Sequence, residues 1–141
     1  MKPGCENRGN AFPAEKSGRK ARLLFVDDDE KLRELLSLYL DANGFEVLTA
    51  ANVAQARACL DRERFQLAIL DVNLNGESGF DLLDYAKRKQ PQLPVLMFTG
   101  LDVDEELTRK TLAGRAEGIV RKTGSLDGIL AHAQWHAAPV D

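Results

Sequence analysis

The chain predicts an α/β fold, a doubly wound sheet of five parallel strands, on three observations. Strand-like and helix-like patterns alternate five times from Arg22 onward. The strand runs are largely unbroken apolar stretches, as parallel strands covered on both faces are. Four of the runs also deliver a polar side chain at their C-terminal end. Leu23-Leu24-Phe25-Val26 leads into Asp27-Asp28-Asp29, and Leu67-Ala68-Ile69-Leu70 into Asp71. Val95-Leu96-Met97-Phe98 leads into Thr99, and Gly118-Ile119-Val120-Arg121 into Lys122. The carboxyl ends of the strands are where an open α/β sheet collects its functional residues.

Each element has its own warrant. Strand one is Arg22–Val26, and helix one runs from about Glu30 to Ala42, with Leu32, Leu35, Leu36 and Tyr39 repeating as one apolar stripe. Gly44 stops that helix, as a glycine just past a C-terminus does. Phe45–Ala50 is the second strand. Asn52 is an N-cap candidate for an Ala-rich helix through about Glu63. Strand three, Leu67–Leu70, is followed by a loop, residues 72–79, carrying the turn chemistry of Asn75-Gly76 and Ser78-Gly79. Helix three, from about Phe80 to Lys89, ends at Gln90-Pro91-Gln92-Leu93-Pro94, which sets up strand four, Val95–Thr99. Helix four, about Asp104 to Ala113, is short and charged. Strand five is Gly118–Arg121, and the last helix runs from about Ser125 to Trp135.

Strand–helix alternation implies parallel strands with right-handed crossovers. Five of them fit the flavodoxin-like (βα)5 order 2-1-3-4-5. Strands one and three are then neighbours at the switch point, so Asp27, Asp28 and Asp71 converge in one crevice. The expected organisation is a disordered basic tail over residues 1–20, a folded domain over 21–136 and a short C-terminal tail over 137–141.

Charge follows that division. Residues 1–22 hold six Lys/Arg against two Asp/Glu, while the rest holds thirteen against twenty. The acidic body argues against non-specific DNA binding. No apolar run reaches the length of a membrane span and no signal-peptide core precedes the domain, so a cytoplasmic protein is expected. Cys5 and Cys59 are expected to be free thiols, Cys59 packed as a small hydrophobe.

Clustered carboxylates repel, and each raises its neighbour's pKa unless a cation sits among them. An all-oxygen donor set with open positions favours Mg²⁺. Thr99 offers one hydrogen bond to a phosphoryl oxygen and Lys122 a charge-assisted one to another. Phosphoryl transfer needs mainly positioning and charge stabilisation, which these groups supply, and an ionised carboxylate held in line is a competent nucleophile. Asp29 is better read as the cap of helix one.

Phe25-Val26-Asp27-Asp28-Asp29, Ile69-Leu70-Asp71-Val72-Asn73, Met97-Phe98-Thr99-Gly100 and Arg121-Lys122 together resemble the signatures of the two-component response-regulator receiver domain, the CheY-like family. The resemblance covers about Arg22 to Trp135. It implies that Asp71 accepts a phosphoryl group from a phosphohistidine on a sensor histidine kinase or a histidine phosphotransfer protein. Mg²⁺ would be held by Asp27, Asp28, Asp71 and the backbone carbonyl of Asn73. Thr99 and Lys122 would read the phosphorylated state, and Gly100 would leave room for the phosphoryl group. Such a domain catalyses only its own phosphorylation and dephosphorylation. By the same resemblance Asn73 and Leu101 help set the phosphate lifetime, Leu101 by shielding the acyl phosphate.

Three positions depart from the family. Ile119 replaces the usual aromatic switch residue, so a ring rotation in response to Thr99 is not the output. Thr123-Gly124 follows Lys122 where proline is usual, which predicts a more mobile loop. Asn75 replaces a common proline in the loop after Asp71. Phosphorylation is expected to survive all three changes, while the usual relay is placed in doubt.

The chain ends shortly after the last helix, at Ala137-Ala138-Pro139-Val140-Asp141, which predicts a single-domain receiver that signals by contact, with no direct nucleic-acid or membrane partner. The family's docking face, on helix four, strand five and helix five, would include Arg109, Lys110, Arg121, Ile129 and His132. Trp135 is expected to pack the last helix rather than anchor a partner. His132 and His136 are expected to be a solvated pair rather than a metal pair. Two alternatives use the same residues differently. A phosphorylation-independent interaction module would keep the fold without the chemistry. A haloacid-dehalogenase-type phosphatase would make Asp27 the nucleophile and Asp29 the general acid, but lacks its acidic pair and cap insertion here.

Overall fold

The computed structural model describes residues 20–100, 102–122 and 124–137, together with the backbone of Glu6–Asn7. Ala21–Val26 (β1) pairs in parallel with Phe45–Ala50 (β2) on one side and Leu67–Asp71 (β3) on the other. Val95–Thr99 (β4) follows beside β3, and Gly118–Arg121 (β5) beside β4. The strand order is therefore 2-1-3-4-5, as the alternation predicted. Glu6–Asn7 adds a two-residue antiparallel strand to the outer edge of β2, opposite Leu48 and Thr49. Apart from those two residues and Lys20, the tail over 1–20 lies outside the described residues, as do Leu101, Thr123 and 138–141.

The helices are Glu30–Ala42 (α1), Val53–Arg62 (α2), Gly79–Lys89 (α3), Glu105–Ala113 (α4) and Leu126–His136 (α5). Their starts are set by side chains that accept the otherwise unpaired N–H groups of a first turn. Asp29 accepts from Lys31 and Leu32 N–H, and Asn52 from Gln55 N–H. Ser78 caps α3, Asp104 caps α4 and Ser125 caps α5. Gly44, just past α1, has φ +98°, a conformation that costs a residue with a Cβ.

Strand residues alternate between two cores, which explains runs with no polar breaks. Leu24, Val26, Ala68, Leu70 and Met97 face the layer built by α2 and α3. Leu23, Phe25, Leu67, Ile69, Leu96 and Phe98 face α1 and α5. Phe25 and Phe98 meet edge to face, with centroids 5.6 Å apart. The stripe on α1 is rotated from the expected one. Leu36, Ser37 and Leu40 are buried, whereas Leu35 is 49% exposed. With more leucines than the buried arc can hold, Leu35 and Leu38 fall outside it.

At the amino ends of the strands, polar side chains close the molecule. Gln90 Nε2 donates to Leu60 O and Glu63 O, and its Oε1 accepts from Phe65 N–H. The buried Lys87 ammonium donates to Leu93 O at 2.8 Å and pairs with Glu117, which also accepts from Val95 N–H. Cys59 is fully buried in α2, as expected of a small hydrophobe, but it is disulfide-bonded rather than a free thiol. The sequence holds one other cysteine, Cys5. No helix among the described residues is long and apolar enough to cross a membrane.

Candidate functional site

The strand register brings the polar side chains to one level. Val26 is opposite Leu70, so Asp27 and Asp71 leave adjacent strands side by side. Asp71 is opposite Phe98, and Thr99 opposite Arg121, which puts Thr99 and Lys122 next in order. Lys122 N–H donates to Thr99 O at 2.7 Å and fixes the start of the loop after β5. Thr99 and Asp71 are both buried, and Asp27 is fully so.

Three carboxylates, from Asp27, Asp28 and Asp71, lie with ligand atoms within 4.8 Å of one another, the only such group of three among the described residues. Lys122 Nζ stands 2.9 Å from Asp27 Oδ2 and 2.9 Å from Asp71 Oδ2. Asp71 Oδ1 accepts from Asn73 N–H at 3.2 Å. Burial pushes the Asp71 carboxyl above its usual range. The Lys122 hydrogen bond opposes that rise, and the Asp27 charge adds to it. For Lys122, burial works against the ammonium, but its close pairing with the Asp27 and Asp71 carboxylates outweighs it and the pKa is raised.

The donor set fits a divalent cation. Asp27 Oδ2 is buried and makes no well-directed hydrogen bond, although the Lys122 ammonium is close. Asp28 is exposed and opens the cluster to water. A hard cation with several retained waters and carboxylate ligands is what such a half-open oxygen cluster suits. Asp29 is not part of it. Its side chain is committed to capping α1, while its N–H holds Asp27 Oδ1 at 2.8 Å.

The loop after Asp71 is more ordered than its composition suggested. Asn73–Leu74 and Glu77–Ser78 form a two-stranded hairpin. Asn75 (φ 55°) and Gly76 (φ 95°) are both left-handed, as the two central residues of a type I′ turn are. Asn73 Oδ1 accepts from Gly76 N–H at 3.0 Å, which turns its side chain toward the turn. Gly79 begins α3 directly behind the acid: a Cβ there would overlap Asp71 O, and Gly79 N–H donates to Val72 O at 2.7 Å. The Ser-Gly pair signalled a turn but not this close approach. Gly100 has room to spare, with Lys122 Cδ the nearest atom to an added Cβ at 3.7 Å. Ile119 is half-buried against the α2/α3 core.

The expected docking face needs two corrections. Ile129 is buried, 3% exposed, with Ala133 and Ala137 on the stripe that packs α5, so it offers no docking surface. Trp135 is 83% exposed rather than packed, because two residues past Ala133 turns it about 200° away from that stripe. Arg109, Lys110 and His132 are exposed, and Arg121 pairs with Asp102 at 2.9 Å. The His132 and His136 rings stack, with centroids 6.2 Å apart.

Known proteins share this architecture. The family model for the response regulator receiver domain matches residues 23–134. The response regulator protein PilR of Pseudomonas aeruginosa is 40% identical over 130 residues, covering 86% of this chain and 29% of PilR. A CheY-like receiver domain protein from Methanospirillum hungatei superposes with a TM-score of 0.78 at 28% identity, covering 82% of this chain and 92% of its own. A response regulator from Burkholderia pseudomallei, solved with a phosphorylated aspartic acid, a calcium ion and citrate, gives a TM-score of 0.74 at 25% identity, covering 79% of this chain and 65% of its own. The chain spans between about a quarter and about half of the curated relatives it matches. With the match extending over most of its length and the strand order in agreement, the chain belongs to the response regulator receiver domain family, the signalling modules of two-component systems.

Proposed function

We propose that Asp71 accepts a phosphoryl group from the phosphohistidine of a sensor histidine kinase or phosphotransfer protein. The observation that carries this reading is the setting of Asp71. Its carboxylate is buried at a strand end, one oxygen held by Lys122 Nζ and the other by Asn73 N–H, beside a second buried acid. A carboxylate oxygen of Asp71 forms the new bond to phosphorus as the phosphorus–nitrogen bond breaks, and the imidazole leaves with the electron pair. Lys122 and the Thr99 hydroxyl then take up phosphoryl oxygens by charge-assisted hydrogen bonds. Mg²⁺, when bound by Asp27, Asp28, Asp71 and the Asn73 carbonyl, would supply positive charge against the carboxylates and the entering group. The phosphorylated aspartic acid and cation of the Burkholderia relative support the same assignment.

Against the phosphatase alternative, Asp29 Oδ1 is engaged in capping α1. Output is assigned to the face formed by α4, β5 and α5, through Arg109, Lys110, Arg121, His132 and the exposed Trp135, in a cytoplasmic setting. The test is phosphorylation by acetyl phosphate with Mg²⁺, resolved on a phosphate-affinity gel. Wild type should shift and Asp71→Asn should not. An unshifted wild type, or a shift that persists in Asp71→Asn, would overturn the assignment and favour a phosphorylation-independent interaction module.

A further inference from the structure

Arg33, on the second turn of α1, reaches back to the acid cluster and donates from Nη1 to Asp27 O at 2.7 Å. The β1 ladder ends at Val26, which is opposite Ala50 and Leu70, so the Asp27 carbonyl has no partner strand to receive. Every other polar atom of Asp27 has a defined setting. Its N–H donates to Ala50 O at 3.1 Å, and its Oδ1 accepts from Asp29 N–H at 2.8 Å. Its Oδ2 lies buried in the cluster, 2.9 Å from the Lys122 ammonium.

The carbonyl that Arg33 holds belongs to the peptide joining Asp27 to Asp28, and two of the three clustered carboxylates hang from that peptide. The Asp27 ψ and Asp28 φ torsions flank that peptide, and a change in either alters the direction of one carboxylate relative to the other. We infer that Arg33 is a positioning residue for the cation seat: its guanidinium locks the Asp27–Asp28 peptide and so fixes the separation of the two acids. The inference rests on the reading of the cluster as the Mg²⁺ site. A charge effect would act in the opposite sense, because a guanidinium beside the cluster repels an incoming cation. Loss of positioning therefore weakens cation binding, whereas loss of charge alone tightens it.

Groups that orient metal ligands without touching the metal are typically worth 10–100-fold in affinity. Titration calorimetry with MgCl2 on the full chain should show binding weakened about tenfold in Arg33→Ala. Arg33→Lys, which keeps the charge and a donor of similar reach, should lie between the two. With acetyl phosphate, the Mg²⁺ concentration for half-maximal phosphorylation should rise in Arg33→Ala while the maximal rate is largely kept. Thermal unfolding in EDTA shows that each variant is folded. Unchanged or tighter Mg²⁺ binding by Arg33→Ala, beside a wild type that binds, overturns the positioning role alone. A wild type that takes up no Mg²⁺ overturns the cation-site reading and this inference together.

Discussion

Lys122 Nζ stands between two buried carboxylates, 2.9 Å from each, and is itself 26% exposed. Removing one member of a buried ionic group leaves the others uncompensated, at a cost of several kcal/mol. Lys122→Ala is expected to lose on the order of 3 kcal/mol in urea unfolding measured in EDTA, and millimolar Mg²⁺ should restore part of it. Asp41 behaves differently. Burial holds its carboxyl above the usual range, Lys20 opposes that rise and Glu46 adds to it. A carboxyl with a raised folded-state pKa contributes stability that is present below its unfolded value and lost as pH rises through the folded one. Asp41→Asn should therefore raise the urea midpoint at pH 7 and leave it unchanged near pH 3. Asp27, Asp28, Asp71, Thr99 and Lys122 were legible in the sequence because each follows an apolar run. Arg33 and Gly79 were not. One acts through a side chain reaching six residues back, the other through an atom it lacks.

The elements were readable where their ends carry chemistry of their own. Asp29, Asn52 and Gly44 each announce a helix boundary by residue type, and each sits where that chemistry requires. The hairpin between Asp71 and α3 was read only as a loop, since its two-residue strands are too short to show a period. Its turn now gives meaning to Asn75, where the receiver resemblance leads one to expect proline. At φ 55° the position is closed to proline, whose ring fixes φ near −65°. Asn75→Pro is expected to destabilise the fold by about 1–2 kcal/mol in thermal or urea unfolding, despite making the chain more like its family. On α1 the apolar pattern was broader than the buried arc, and spacing alone did not say which leucines the sheet would cover.

Across the whole molecule the helices are unequally packed. Of α4 only Thr111 is buried, while Leu112 is 69% exposed. Segments with few buried apolar contacts open locally at low free energy. Hydrogen exchange read by mass spectrometry should find Glu105–Ala113 exchanging well ahead of β3 and β4. Uniform protection across these segments would contradict that. The strand order was legible because alternation and crossover handedness leave few arrangements. The orientations of Ile129 and Trp135 were not, because α5 carries apolar residues around much of its circumference and the sheet decides which are used. The polar clasps of Gln90 and Lys87 sit at the end of the sheet opposite the acid cluster. The molecule thus keeps its fastening and its chemistry at opposite poles. Substitution of Gln90 or Lys87 should therefore lower stability while the surroundings of Asp71 keep their geometry.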